Sequence, residues 1–190
     1  VISRRFNLPV FVTKPTLKAA RDRMGRLFEV KHFQCGSTFR LGVLNIRPFP
    51  VSHDAADPVG FCIQADGMKI GIATDLGVAT RLVCHHLRGC RLLVLEANHD
   101  LKMLEEGPYP WPLKQRIRGR RGHLSNEDSR DLLERVTSPE LQHVVVAHLS
   151  EKNNHPERAL SVLGRPASTG KPRFHLARQD RPGDMIVLDD

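Results

Sequence analysis

The chain predicts a mixed α/β (α+β) fold, and three stretches carry that expectation. "FCIQADGMKI" alternates apolar and polar residues about Asp66-Gly67, the strongest short-range mark of a β-hairpin, because both turn positions need positive φ. "RLLVLE" (91–96) and "LQHVVVAHL" (141–149) are continuous apolar runs of strand length, as expected of strands covered on both faces. Between them, Ser125 with Asp128 three residues on forms a capping box and opens a helix. A hairpin set among strands that alternate with helices points to a sheet of mixed direction.

The elements follow in order. "VISRRF" reads as the last turn of a helix, Asn7-Leu8-Pro9 as a break, and 10–13 as a short strand. Residues 16–26 have helix-forming composition. "FRLGVLNIRPFPVS" (39–52) alternates Leu41, Val43 and Ile46 imperfectly and reads as one strand leading past Pro50 into a loop. Beyond the hairpin, residues 78–87 form a short helix, and 100–121 are mixed, broken by the prolines of "GPYPWPLKQ". Leu132, Leu133 and Val136 give the helix opened by Ser125 its apolar stripe. Asn154 with Glu157 caps a further helix through Leu163, residues 164–182 read as loop, and "DMIVLD" (184–189) closes with a strand. No repeat, low-complexity segment or internal boundary divides the chain, so residues 1–190 are expected to form one domain. It opens on Val1 with neither cap nor turn, and the expectation is a fold that starts upstream.

Composition narrows the class. With 190 residues, 40% hydrophobic and 26% charged, the chain suits a globular domain with a real core. No apolar run reaches bilayer length and no signal peptide opens the chain, so no membrane is expected and the cytoplasm is the default. Cys35, Cys62, Cys84 and Cys90 show no C-x-x-C spacing and lie in or beside apolar runs, which reads as buried thiols. A formal charge of +8 favours polyanionic partners.

Chemistry-bearing side chains recur where strands end: His53, Asp75, the "EANHD" stretch at 96–100, His123 and His148. Strand ends at one rim of a sheet are where loops converge on a site. Histidine and aspartate suit Zn²⁺ or Mn²⁺. One aspartate can give an oxygen to each of two cations about 3.5–4 Å apart, a pair that activates water and stabilises the attacking and leaving oxygens. By spacing alone each lone histidine equally reads as a hydrogen-bonded structural residue, and Asp75 as a cap or turn.

The motifs "VSHDAADPVGF", "IATDLG", "LEANHD", "GPYPWPLKQRI", "GHLSNEDS" and "AHLSEKNN", in this order, resemble the metallo-β-lactamase fold. They resemble in particular its bacterial YycJ/WalJ-type branch, regarded as DNA exonucleases and related in motif layout to ribonuclease Z. The resemblance covers residues 1–163 and implies a four-layer αβ/βα sandwich with two divalent ions, Zn or Mn, at one edge. It implies that His53 is a ligand of the first metal, that Asp75 bridges both, and that His148 is a ligand of the second. It gives His123 a part in proton transfer, with the N–H groups near Ser125 facing a phosphate or developing oxyanion. His99 and Asp100 become orienters of the ligands or plain structural residues. The family's H-x-H-x-D-H element, which brings two ligands to each metal, is not in this sequence, and His85-His86 match neither its residues nor its spacing. The chain therefore carries roughly half of the ligands of such a site. The expectation is an N-terminally incomplete member, with the metal pair held by the complete protein.

Lys114, Arg116, Arg118, Arg120 and Arg121 form a basic run beside Tyr109 and Trp111. A groove that tracks a nucleic-acid backbone looks like this, and so does a solvated helix face. The leading expectation is a dinuclear metal-dependent phosphodiesterase, an exonuclease acting on DNA. The alternatives are a small-substrate hydrolase of the same fold, cleaving a thioester, lactone or cyclic nucleotide, and a non-catalytic nucleic-acid-binding module.

Overall fold

The structure, a computed structural model, describes residues 1–164 and 172–188. The chain runs α1 (Ile2–Arg5), β1 (Pro9–Val12), α2 (Lys14–Met24), β2 (Glu29–His32), β3 (Phe39–Leu41), β4 (Leu44–Pro50), β5 (Val59–Ala65) and β6 (Met68–Ala73). There follow α3 (Arg81–Leu87), β7 (Leu92–Glu96), α4 (Leu101–Glu106), α5 (Trp111–Arg118), α6 (Asn126–Val136), β8 (His143–Ala147), α7 (Pro156–Leu163) and β9 (Arg173–Leu176). No helix of the described residues is long and apolar enough to cross a membrane.

Local rules account for most elements. Asp66 and Gly67 both take positive φ, 49° and 75°, and join β5 to β6 in the two-residue turn whose twist matches the strands. Thr13, Thr80, Asp100 and Ser125 cap α2, α3, α4 and α6 through their side chains, each satisfying one orphan N–H, worth about 1 kcal/mol. The Ser125/Asp128 capping box is complete.

Seven strands form one mixed sheet in the order β3-β4-β5-β6-β7-β8-β9. β3 to β6 pair antiparallel; β6, β7, β8 and β9 pair parallel. The core lies between one face of this sheet and α3, α6 and α7, where Phe49, Leu87, Leu93, Leu95, Leu132, Leu133 and Leu163 are fully buried. Each such side chain contributes about 1.5–3 kcal/mol relative to exposure. β1 and β2 make a separate parallel pair packed on the opposite face. There Phe11 stacks on Phe39 (5.1 Å), and Phe33 on Phe39 (5.4 Å) and edge-on to Phe61 (5.9 Å). All four cysteines are free thiols; Cys62, Cys84 and Cys90 are buried and Cys35 half-buried.

Several sequence expectations need correction. The single strand read over 39–52 is two strands, because Gly42 at φ 59° turns the chain between them. β2 was not expected: its four residues are exposed and show no alternation to read. α2 begins at Lys14 behind Thr13, not at Thr16. The cap of α7 is His155; Asn154 turns inward, its Nδ2 donating to Ala97 O (2.8 Å) and to Asn126 Oδ1 (2.8 Å). The stretch read as loop over 164–182 holds β9, an edge strand whose pattern is weak because its end residue is exposed. "DMIVLD" is not a strand over 184–188: Met185 and Val187 are exposed and find no partner strand. Residues 165–171 of the loop and Asp189 lie outside the described residues.

Candidate metal centre

Topology brings the carboxyl ends of four strands to one rim. β6, β7 and β8 run parallel as neighbours, and β4, two antiparallel steps from β6, points the same way. His53 follows β4, Asp75 follows β6, Glu96 ends β7 and His148 follows β8. Parallel sheets place their ligands beyond such strand ends.

His53, Asp75 and His148 meet. Asp75 Oδ1 lies 3.8 Å from His53 Nε2 and 3.3 Å from His148 Nε2, between the two rings. His53 Nδ1 is 2.9 Å from Gly122 O, which takes its N–H and leaves the Nε2 lone pair toward Asp75. Asp75 and His148 both occupy the left-handed region, at φ 58° and 56°. Such backbone is uncommon outside glycine and costs of order 1–3 kcal/mol per residue, so the surrounding structure must hold it.

Glu96 holds it. Its carboxylate is fully buried and accepts from Asp75 N–H and Leu76 N–H (3.3 Å) through Oε2, and from Leu124 N–H (3.0 Å) through Oε1. His123 Nδ1 lies 3.0 Å from the same Oε1, and since a carboxylate can only accept there, Nδ1 carries the proton. His123 Nε2 is thereby left toward the centre, its ring 4.9 Å from that of His53 and stacked 5.2 Å from that of His148. Burial by itself lowers the His123 pKa; the hydrogen bond and charge of Glu96, with Asp75 and Asp54, outweigh it and raise the imidazole above its usual range. In the sequence Glu96 stands only as the first residue of the 96–100 stretch and is given no role of its own. Its one signal is a charge ending a strand buried on both faces.

The donor set fits a divalent cation. His53, Asp75 and His123 offer ligand atoms within 4.8 Å of one another, and so do Glu96, His123 and His148. In the second group Glu96 is already engaged by three backbone amides and His123, so His148 with Asp75 is the better pair of donors.

The other expected residues divide. Asp100 caps α4 and pairs with Arg158 (2.8 Å). Ser125 caps α6; the capping box with Asp128 occupies the Ser125 and Asp128 N–H groups and His99 O takes that of Asn126, three of those the sequence offered to a phosphate. His99 is buried against Ser125, its Nδ1 without a hydrogen-bond partner, and burial drives its pKa down to about 4. The basic run is not one face. Lys114 Nζ turns back to Glu105 O on α4 (2.7 Å), whereas Arg116 pairs with Asp54 (2.6 Å) beside His53. Arg116 thereby holds the Asp54 carboxyl below its usual range. Arg118, Arg120 and Arg121 are exposed, and Arg121 Nε reaches His53 O (3.4 Å). Trp111 is exposed at the start of α5, while Tyr109 lines the cleft beside the centre. That cleft, about 520 Å³, is bordered by His53, His123, Arg116, Lys152, Leu113 and Tyr109.

Comparison with known proteins identifies the family. A family profile described as "Beta-lactamase superfamily domain" matches residues 2–149. The chain is 34% identical over 161 residues to exodeoxyribonuclease YycJ of Bacillus anthracis and 32% identical over 163 residues to exodeoxyribonuclease WalJ of Streptococcus pneumoniae. Each match covers 84% of this chain and 61% of the relative, so the chain spans about three-fifths of the length of those curated relatives. The crystal structure of the metallo-beta-lactamase fold protein YhfI from Bacillus subtilis superposes with a TM-score of 0.63 at 12% identity, over 90% of this chain and 62% of that one. With its mixed sheet, rim of histidines and aspartate, and matching profile, the chain belongs to the metallo-β-lactamase superfamily, on the branch of YycJ and WalJ.

Proposed function

We propose that this chain forms the larger part of a dinuclear metal-dependent phosphodiesterase that degrades DNA as an exonuclease. The observation that carries the reading is the single oxygen of Asp75 set between His53 Nε2 and His148 Nε2 on strained backbone. His53, Asp75, and His148 would hold two divalent cations, Zn or Mn, with Asp75 shared. When bound, the cations supply Lewis acidity to a phosphodiester and activate a water.

The chain's own residues do the rest. Glu96 fixes the His123 tautomer and aims Nε2 at the centre, where a protonated imidazole can pass its proton to a leaving oxygen. The His123 pKa, raised by Glu96, shifts the balance toward that protonated form. Arg116, poised on Asp54 over the cleft, can exchange that carboxylate for a phosphate, bidentate and charge-assisted. Tyr109, Leu113 and Leu149 give the same cleft an apolar wall for a base. The names of the curated relatives and the +8 charge support DNA as substrate, and the free thiols fit the reducing cytoplasm.

The test is Mn²⁺-dependent degradation of an end-labelled DNA duplex by the complete protein, abolished in Asp75→Asn with the thermal melt retained. Hydrolysis of thioesters, lactones or cyclic nucleotides with DNA left intact would replace DNA by a small substrate. DNA bound but uncut at every metal concentration would make this a binding module.

A further inference from the structure

Positive charge continues past the metal centre beyond Arg120 and Arg121, where the basic run 114–121 ends. Gly77, two residues after Asp75, sits so close to the 119–122 segment that a Cβ there would lie 2.6 Å from Gly122 N. The exposed Arg120 and Arg121 therefore border the loop that leaves Asp75. Arg135 of α6 grips the far end of that loop, its Nη1 donating to Ala79 O (3.1 Å). Ala79 is four residues from Asp75, at most about 14 Å even along an extended chain. Arg81, His85 and Arg88 then follow at one-face spacing along α3, over about 10 Å.

These side chains and Arg135 line a cleft of about 350 Å³ floored by Cys84. Arg88 Nε donates to Arg135 O (3.3 Å), so two of the three guanidiniums are anchored by backbone carbonyls with other N–H groups to spare. Among the described residues none of the three has a carboxylate partner; Asp131 and Glu134 nearby are engaged by Arg130 (3.1 and 3.6 Å). Three like charges around one concavity repel one another unless an anion sits between them, and guanidinium forks match phosphate oxygens.

We propose that this three-arginine cleft is a second phosphate site, and that Arg120, Arg121, Arg135, Arg81 and Arg88 form a track that leads a nucleic-acid backbone away from the metal centre. The proposal rests on the reading of the chain as a DNA-degrading enzyme and adds where the uncut part of the strand lies. α6, eleven residues from beside His123 to the cleft, sets the offset at about 16 Å. The 10 Å stripe on α3 covers about three nucleotides of axial rise, at 3.4 Å each.

The test is fluorescence anisotropy in EDTA on the complete protein, with a 20-base-pair duplex of about 68 Å and a single-stranded tetranucleotide too short to leave the centre. For Arg81→Ala/Arg88→Ala/Arg135→Ala we expect duplex affinity to fall at least about tenfold and the slope of log K against log salt to shrink by about 2–3. Tetranucleotide affinity stays within about twofold, and the triple lysine variant, which keeps the charge, keeps the slope. A duplex slope unchanged in the alanine variant, or lost equally in the lysine variant, overturns the track. Inorganic pyrophosphate bound by the wild type and not by the alanine variant, with the duplex slope unchanged, assigns the cleft to a small phosphorylated ligand and also overturns it. A wild type that binds no DNA of either length overturns the DNA reading itself, and the track with it.

Discussion

Glu96→Gln removes the charge of a buried carboxylate that ties two site loops to the end of β7. The wild-type side chain receives four donors in a fully buried place: the Asp75 and Leu76 amides on one oxygen, the Leu124 amide and His123 Nδ1 on the other. Glutamine has a single acceptor oxygen. Turned toward Asp75 and Leu76, it sets its own NH₂ against Leu124 N–H and His123; turned the other way, it orphans Asp75 and Leu76. Either rotamer leaves two buried donors unsatisfied at about 1–3 kcal/mol each, a loss of about 4 kcal/mol at the centre of that range. In a chain of this size each kcal/mol moves Tm by about 2–4 °C, so a drop of roughly 8–16 °C is expected. Urea unfolding followed by circular dichroism and by tryptophan fluorescence in EDTA measures it free of stabilisation by bound metal. A loss below about 1 kcal/mol, with the urea dependence unchanged, would show that Glu96 does not hold the rim.

Three more outcomes can be checked. His99 is neutral when folded, its pKa near 4, and titrates near 6.5 when unfolded, so stability is complete above about pH 6.5 and falls as pH drops toward 4. His99→Gln should therefore lose about 2 kcal/mol less than wild type between pH 7 and pH 5 in urea titrations, and parallel losses in both proteins would refute the burial account. Gly77→Ala puts a methyl against backbone atoms of Gly119, Arg120 and Gly122, so equilibrium dialysis should show Zn²⁺ or Mn²⁺ affinity weakened by tenfold or more; wild-type affinity would mean that the loop yields freely. Arg116→Ala should reduce the salt slope of DNA binding by about 1, whereas Lys114→Ala should leave it unchanged because that ammonium is drawn to Glu105 O on α4 and does not border the cleft; equal effects would show that the two share a groove.

The sequence carried whatever is decided within a few residues. The Asp66-Gly67 turn, the Ser125 capping box and the two-face-buried runs at β7 and β8 were legible because propensity, capping and hydrophobic period act locally. The candidate ligands His53, Asp75 and His148 could be singled out only through motif resemblance, not spacing, since 22 and 73 residues separate neighbours among them. What tertiary structure alone decided depends on partners distant in the chain. An edge strand such as β9 forms only because β8 offers its hydrogen bonds, while the apolar residues 185–188 find no ladder to join. Glu96 becomes the keystone only where two loops, distant in the chain, deliver three amides to it. Lys114 and Arg116, two residues apart and alike in sequence, part because a short helix turns one to a carbonyl of α4 and the other to Asp54. Hydrogen-bond acceptors and charges act over a few ångströms in space, whatever their separation along the chain, and only the fold sets that distance.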